Sequence, residues 1–561
     1  MDCNPNRRSW STCVLRVIAR AVVLSMLGIP GPVALHAQGF TTDDPVIHRM
    51  WEVGMEHSQT EALAQVLMDS IGPRWEGTPN LASAQDWLLQ VYASWGVPAR
   101  KEQYGTFPGW DQGILHVDLI APRVQSLEAK MSAFSASTGG PVEGDVVALP
   151  TVAPLGVDTA QWLPLVEGKW VLTRPPEPTC RPDQNLEKLA RPETVERLKA
   201  LREENRGYIF GKVDEVGGWE AFERMLEPAG ALGIIDTWWS GGWGTFYAWD
   251  GSPDGPNASI YLSCEDYGLV YRLATNNQHP TLRIEAEAKR LGQVPQFNVI
   301  AELKGTELPD EYVVLSAHLD SWHSGTGATD NGTGTIMMLE AMRILKETYP
   351  NPRRTILVGH WGGEELVFAG SRTFREDHPE VVEGLQVLFN QDEGTARIDY
   401  IEGQGLLNVG PHVGSWISQV PRAISKGITL EFPGAQLIGG SDHLPFVCAG
   451  APAFLLASAA DSLLADNPGH TAMSSEYTHH TNRDTYDKIV FDNLKENATL
   501  AAMLAYAASE DPERVPRDRA LLPIDPDTGE PREWFGAVPG SRAAKVVCDP
   551  RRGHDEKWLR F

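Results

Sequence analysis

A chain of 561 residues, 42% of them hydrophobic, exceeds one ordinary core and has the composition of a globular protein, so two or more domains are expected and a fibrous or disordered chain is excluded. Its formal net charge of −26 repels phosphate backbones and anionic membrane surfaces, which argues against nucleic acid as a partner.

At the N-terminus, Arg7, Arg8, Arg16 and Arg20 lead into the apolar run AVVLSMLGI at 21–29, a Pro/Gly break and small residues ending at Ala37. This is a secretory signal pattern, and the run falls short of the ~20 residues that span a bilayer. Residues 1–37 are therefore expected to be a signal peptide, the protein secreted or periplasmic, and no membrane anchor left after signal removal. Cys180, Cys264, Cys448 and Cys548 would remain, with their pairing open. Cys448, within FVCAGAPAFLLA, reads as a small buried hydrophobe.

Residues 48–134 alternate helix-like and strand-like segments, including EALAQVLMDSIG and SAQDWLLQVYASWG, and form the first part of a catalytic domain. From 135 to 290 the chain is rich in Gly, Pro and Trp, with short strand-like runs such as GDVVAL, KWVLT and ALGIIDT around a charged helical stretch near 184–206; it reads as a separate, mainly-β insert. Residues 291–510 return to α/β alternation: NVIAEL, YVVLSAH, TILVGHW and LQVLFN as strands, TIMMLEAMRILKETY and NLKENATLAAMLAYAAS as helices. The expected architecture is α/β, a mixed sheet with helices on both faces, followed by a Pro- and charge-rich C-terminal extension at 511–561.

In a wound α/β sheet, ligands collect at the carboxyl ends of the strands. His318, Asp320 and, further on, Asp330 follow VVLSA; Glu364 and Glu365 follow TILVGHWGG; Asp392 follows LQVLFN; His479 and His480 lie in EYTHHTNRDTYD. Singly, each is an ordinary polar residue. Jointly they deliver imidazoles and carboxylates to one sheet edge, which suits a two-metal hydrolase whose ions, about 3.5–4 Å apart, share a bridging carboxylate. Asp330 is the expected bridge, with His318 and Asp392 on one ion and Glu365 and His480 on the other. Asp320, two residues beyond His318, points to the same side of an extended chain and would orient its imidazole. Glu364 would act as general base toward water and pass the proton to the leaving amine; the roles of Glu364 and Glu365 can be exchanged at this level. In GGSDHLPF, Ser441, Asp442 and His443 would line a substrate cleft, with His443 donating to the developing oxyanion, or else form a turn before PAFLLAS.

The ordered motifs HLDSW…GATDNGTG, WGGEE, NQDEGT and HHTNRDT resemble those of the M28 metallopeptidases, the co-catalytic zinc exopeptidases. IGPRWEGTPNLASAQDWL and FPGWDQG are similar to the family's carboxypeptidase branch, whereas Glu393 stands where that branch has a small residue and GGSDHLPF looks more like the aminopeptidase branch. The resemblance, over about 48–505, implies the zinc exopeptidase fold, a protease-associated domain for the insert, two Zn2+ per chain held by the residues above, His480 rather than His479 as ligand, dipeptide or short-peptide substrates and a homodimer. An aminopeptidase is the alternative. A glutaminyl cyclase would use a single zinc, a binding protein of this fold would lack ligands or base, and the Trp-rich insert could itself bind polysaccharide or protein.

Overall fold

A computed structural model describes residue 40 and residues 42–366, 368–392, 394, 396–434, 440–458 and 477–520. The signal segment 1–37, Glu393, Cys548 and most of the extension at 511–561 lie outside the described residues. In chain order the strands are β1 (Ala99–Ala121), β2 (Gln125–Ser126), β3 (Ala129–Met131), β4 (Val142–Ala148), β5 (Lys169–Leu172), β6 (Gly233–Asp236), β7 (Ser259–Leu262), β8 (Thr281–Leu303), β9 (Leu308–His318), β10 (Arg354–Trp361), β11 (Leu385–Asn390), β12 (Ile398–Glu402), β13 (Thr429–Glu431) and β14 (Ala453–Ser458). They form one mixed sheet in the order β13-β12-β14-β11-β9-β10-β8-β4-β5-β6-β7-β3, with β1 on β8 and β2 on β1.

Within it, β9 runs parallel to both β10 and β11, and β11 parallel to β14. Strands buried on both faces carry continuous apolar runs, and VVLSA, TILVGHW and LQVLFN are such runs. Alternate side chains then serve opposite faces. Val313, Leu315, Val387 and Phe389 join one core with the helices Thr333–Thr348 and Phe491–Glu510, while Val314 and Leu388 join another with Phe374 and Phe446 from helices Ala369–Asp377 and Leu444–Cys448. Because β9, β10 and β11 are parallel, their carboxyl ends, at His318, Trp361 and Asn390, open on one edge.

β1 and β8, each 23 residues long, pair antiparallel from Ala99↔Ala301 to Ala121↔Thr281 and tie the sheet's two halves together. β8 meets β10 at one end and β4 at the other. The stretch 135–290 is more helical than its Gly-, Pro- and Trp-rich composition suggests. Helix Pro192–Glu215 alone has 24 residues, more than β4 to β7 together. Its sequence, PETVERLKALREENRGYIFGKVDE, is polar on most sides, so it lacks the apolar stripe by which a surface helix is recognised. Cys180 is bonded to Cys264. Cys448 corrects the reading as a free buried hydrophobe: it is disulfide-bonded, and its apolar neighbours gave no sign of that.

In this half Arg174 and Asp236 form a buried ion pair: Nη2 donates to Oδ2 at 2.7 Å, Nε donates to Oδ1, and the guanidinium lies 4.8 Å over the Trp238 ring. Removing one member leaves an uncompensated charge out of water. Arg174→Met should therefore cost about 3–5 kcal/mol in denaturant unfolding, with much of it recovered in Arg174→Met/Asp236→Leu. A loss below ~1 kcal/mol would put the pair among ordinary surface bridges.

Candidate active site

His318 ends β9 fully buried, with Nε2 3.0 Å from Asp392 Oδ1 and 3.2 Å from Asp330 Oδ1. The other oxygen of Asp330 lies 2.9 Å from His480 Nε2, which is 3.2 Å from Glu365 Oε2. The Asp330 carboxylate thus stands between a His318–Asp392 pair and a His480–Glu365 pair. His318, Asp330 and Asp392 offer ligand atoms within 4.8 Å of one another, and so do Asp330, His479 and His480. His479 lies nearby as well, its Nε2 3.5 Å from Asp330 Oδ2 and its ring 3.7 Å from that of His480.

Asp320 lies between two strand ends. Its carboxylate accepts the backbone N–H of Glu364 at 3.3 Å and of Glu365 at 3.2 Å, which fixes the turn after β10 relative to β9. Its link to the imidazole differs from the side-chain contact expected: His318 Nδ1 lies 3.0 Å from the Asp320 backbone carbonyl and 3.5 Å from its carboxylate. The carboxylate leans toward the two amides, which offer it directed donors, and the carbonyl takes its place.

Three residues that sequence reasoning passed over hold this set. Arg74, fully buried, donates to the carbonyls of Gly72, Leu319, Thr326 and Gly327, so one guanidinium gathers the glycine-rich loop after β9. Within that loop Gly327 has φ +59°, and a Cβ there would meet Ser321 Cβ at 2.2 Å, so only glycine lets the loop close. Asp484 accepts the N–H of Thr329 at 2.7 Å and of Asp330 at 3.1 Å, setting the backbone of the central carboxylate. Trp322 donates Nε1–H to Glu365 Oε2 at 2.7 Å and lays its ring 5.0 Å from that of His480. Arg74 lies in IGPRWEG, Asp484 in HHTNRDT and Trp322 in HLDSW, so each was within a motif, but no local pattern says what it touches.

Ser441, Asp442 and His443 are 2%, 0% and 0% exposed, as buried as His318 and Asp320. Asn390 Nδ2 donates to Ser441 Oγ at 2.8 Å, and Ser371 Oγ donates to Asp442 Oδ1. These two contacts tie the segment to β11 and to helix Ala369–Asp377.

The charge balance is unusual. Burial opposes charge on His318, but Asp392 and Glu364 outweigh it and hold its pKa well above the ordinary imidazole range. For His480, burial is likewise outweighed by Glu365 and Asp330, and the pKa is raised to about 10. Burial, together with Asp392, Asp442 and Glu365 nearby, pushes Glu364 well above the usual carboxylate range. Burial and Asp330 push Glu365 up to about 7. Asp330 is held well below its usual value, since hydrogen bonds from His318 and His480 overcome the burial penalty. Arg74, the cation buried beside these acids, is itself pushed down to about 10 by burial. Packed carboxylates with so little compensation hold protons or cations. Glu365 Oε1 is buried without a hydrogen-bond partner, an acceptor left over by the protein's own groups. Imidazole nitrogens and carboxylate oxygens on both sides of a shared carboxylate are the donor types divalent zinc takes, so the residues fit a metal centre.

Residues 298–505 match peptidase family M28. The chain carries an M28 peptidase domain. All the strand-end residues above fall within it. Over most of its length the chain is also similar to carboxypeptidase Q of Rattus norvegicus, 25% identical over 461 residues covering 81% of this chain and 85% of the relative, and to carboxypeptidase Q of Homo sapiens, 23% identical over 455 residues covering 81% and 85%. Its fold resembles a peptidase M28 precursor from Shewanella amazonensis, with a TM-score of 0.56 and 22% identity over 84% of this chain and 97% of that one.

Proposed function

We propose that this M28 peptidase is a secreted, co-catalytic di-zinc exopeptidase that hydrolyses dipeptides or short peptides, as the carboxypeptidase Q relatives suggest by name. The observation that carries the reading is the Asp330 carboxylate, one oxygen toward His318 and Asp392 and the other toward Glu365 and His480. His318, Asp330 and Asp392 would hold one ion and Asp330, Glu365 and His480 the other. When bound, the ions supply a Lewis acid for the scissile carbonyl and acidify water. The rest is the chain's own work. Glu364, whose pKa burial raises, is suited to take up a proton and release it to the departing amine. Asp320, through the amides of Glu364 and Glu365, keeps the base and a ligand in register. Secretion is supported by the Cys180–Cys264 bond, which persists in oxidising compartments. The reading keeps residues 135–290 as an inserted protease-associated unit, supported by a hydrophobic cluster of its own around Trp162.

An aminopeptidase is the second reading, favoured by the buried carboxylates around Asp330, Glu364 and Glu365, which attract a peptide's ammonium end, while Arg483 is paired with Glu128 at 2.6 Å. Elemental analysis of the purified protein should find about two zinc per chain, and a dipeptide panel blocked at either end should show which terminus must be free. A stable content of about one zinc would favour cyclase chemistry instead.

A further inference from the structure

One flank of the site is aromatic. Outward from His480, the Trp322 ring lies 5.0 Å from the imidazole, Trp249 meets Trp322 edge-on at 5.1 Å, and Tyr247 stacks on Trp249 at 5.2 Å. Trp249 and Tyr247 belong to WWSGGWGTFYAW at 238–249, in the middle of the chain, far from every motif that supplies a ligand.

This segment is pinned to the loops that carry the ligands. Phe246 N–H donates to Asn482 Oδ1 at 3.0 Å, Asn482 N–H to the Phe246 carbonyl at 3.1 Å and Asn482 Nδ2 to the Gly244 carbonyl at 3.1 Å, while Ala248 N–H donates to Ser324 Oγ at 3.0 Å. The anchoring sorts its side chains. Phe246 and Ala248 are fully buried, whereas Tyr247 and Trp249 between and after them stay partly exposed, as does Trp322. Trp322 and Trp249 each pack at the margin of a hydrophobic cluster, which holds the rings in place while they stay partly exposed. Three rigid rings, partly open and continuous with Glu365 through the Trp322 N–H, give an acid-lined site one apolar wall.

We propose that Tyr247, Trp249 and Trp322 form the side-chain subsite of this peptidase and select substrates with an aromatic or large aliphatic side chain beside the scissile bond. The inference rests on the exopeptidase reading and names its substrate class. Small and acidic side chains bind poorly there: glycine covers none of the ring surface, and a carboxylate meets like charge.

The test uses the zinc-loaded full chain with dipeptides X-Ala and Ala-X, where X is Gly, Leu, Phe or Glu. In one of the two orders, kcat/KM for Phe or Leu should exceed that for Gly by about tenfold or more. Trp249→Ala should shrink this ratio to within about threefold, mainly through KM, while Trp249→Phe keeps most of it. Tyr247→Ala should shrink it too and serves if Trp249→Ala does not fold. Without turnover, calorimetric titration should find L-phenylalanine bound more tightly than glycine, and the difference lost in Trp249→Ala. Faster cleavage with Gly or Glu, or a ratio untouched in the folded variants, overturns the subsite alone. Failure to cleave any dipeptide overturns the exopeptidase reading and the subsite with it.

Discussion

Asp330→Ala should purify as a folded protein with sharply reduced zinc and with turnover lower by about 10³-fold or more. The size follows from what one side chain does in the proposed centre. Losing a group that merely orients a ligand costs ~10–100-fold in metal affinity, and Asp330 faces both ligand pairs, so its loss should weaken both ions. Metal centres supply several kcal/mol of charge stabilisation to a transition state, and each ~1.4 kcal/mol is tenfold in rate. Elemental analysis beside turnover on a dipeptide reads the two effects, and a melting curve separates them from unfolding. A variant with full zinc content and near-normal turnover would remove Asp330 from the bridging position.

Glu364→Gln should behave in the opposite way toward metal. Glu365 Oε2, not Glu364, stands 3.2 Å from His480 Nε2, and the amide substitution keeps the size of Glu364, so zinc content should stay at the parent level. Turnover should fall by on the order of 10²–10⁴, the usual contribution of a positioned general base. KM should move less than kcat, because the lost interaction belongs to proton transfer rather than to binding. If Glu365→Gln instead kept its zinc and lost turnover while Glu364→Gln lost zinc, the two neighbours would exchange roles. The pair is worth testing together because both backbone amides hang on Asp320.

Much of this was legible in the chain. Apolar runs ending in His318, Glu364–Glu365 and Asp392 announced buried strands with polar termini, and the structure has β9, β10 and β11 parallel with those termini on one edge. Helix Thr333–Thr348 followed from TIMMLEAMRILKETY, since a long apolar period at helical spacing has few other solutions. The long β1–β8 ribbon was harder to see: β1 runs through FPGWDQG, where Pro, Gly and charge look like a turn, and only pairing along β8 makes it a strand.

The sequence by itself determined which atoms could meet: five imidazole and carboxylate groups, each after a strand, in the glycine-rich loop or in the last motif, in an order that resembles one family. It could do so because a side chain's type and its distance from an apolar run are local properties. Tertiary structure alone decided that Asp330 splits its oxygens between two pairs, that Asp320 grips amides with its carboxylate while its carbonyl meets His318, that Ser441, Asp442 and His443 are buried, and that Arg74, Asp484 and Trp322 hold the rest. Those are contacts between segments far apart along the chain, where orientation depends on packing and on competition among donors for the same acceptor, and no local pattern encodes the outcome.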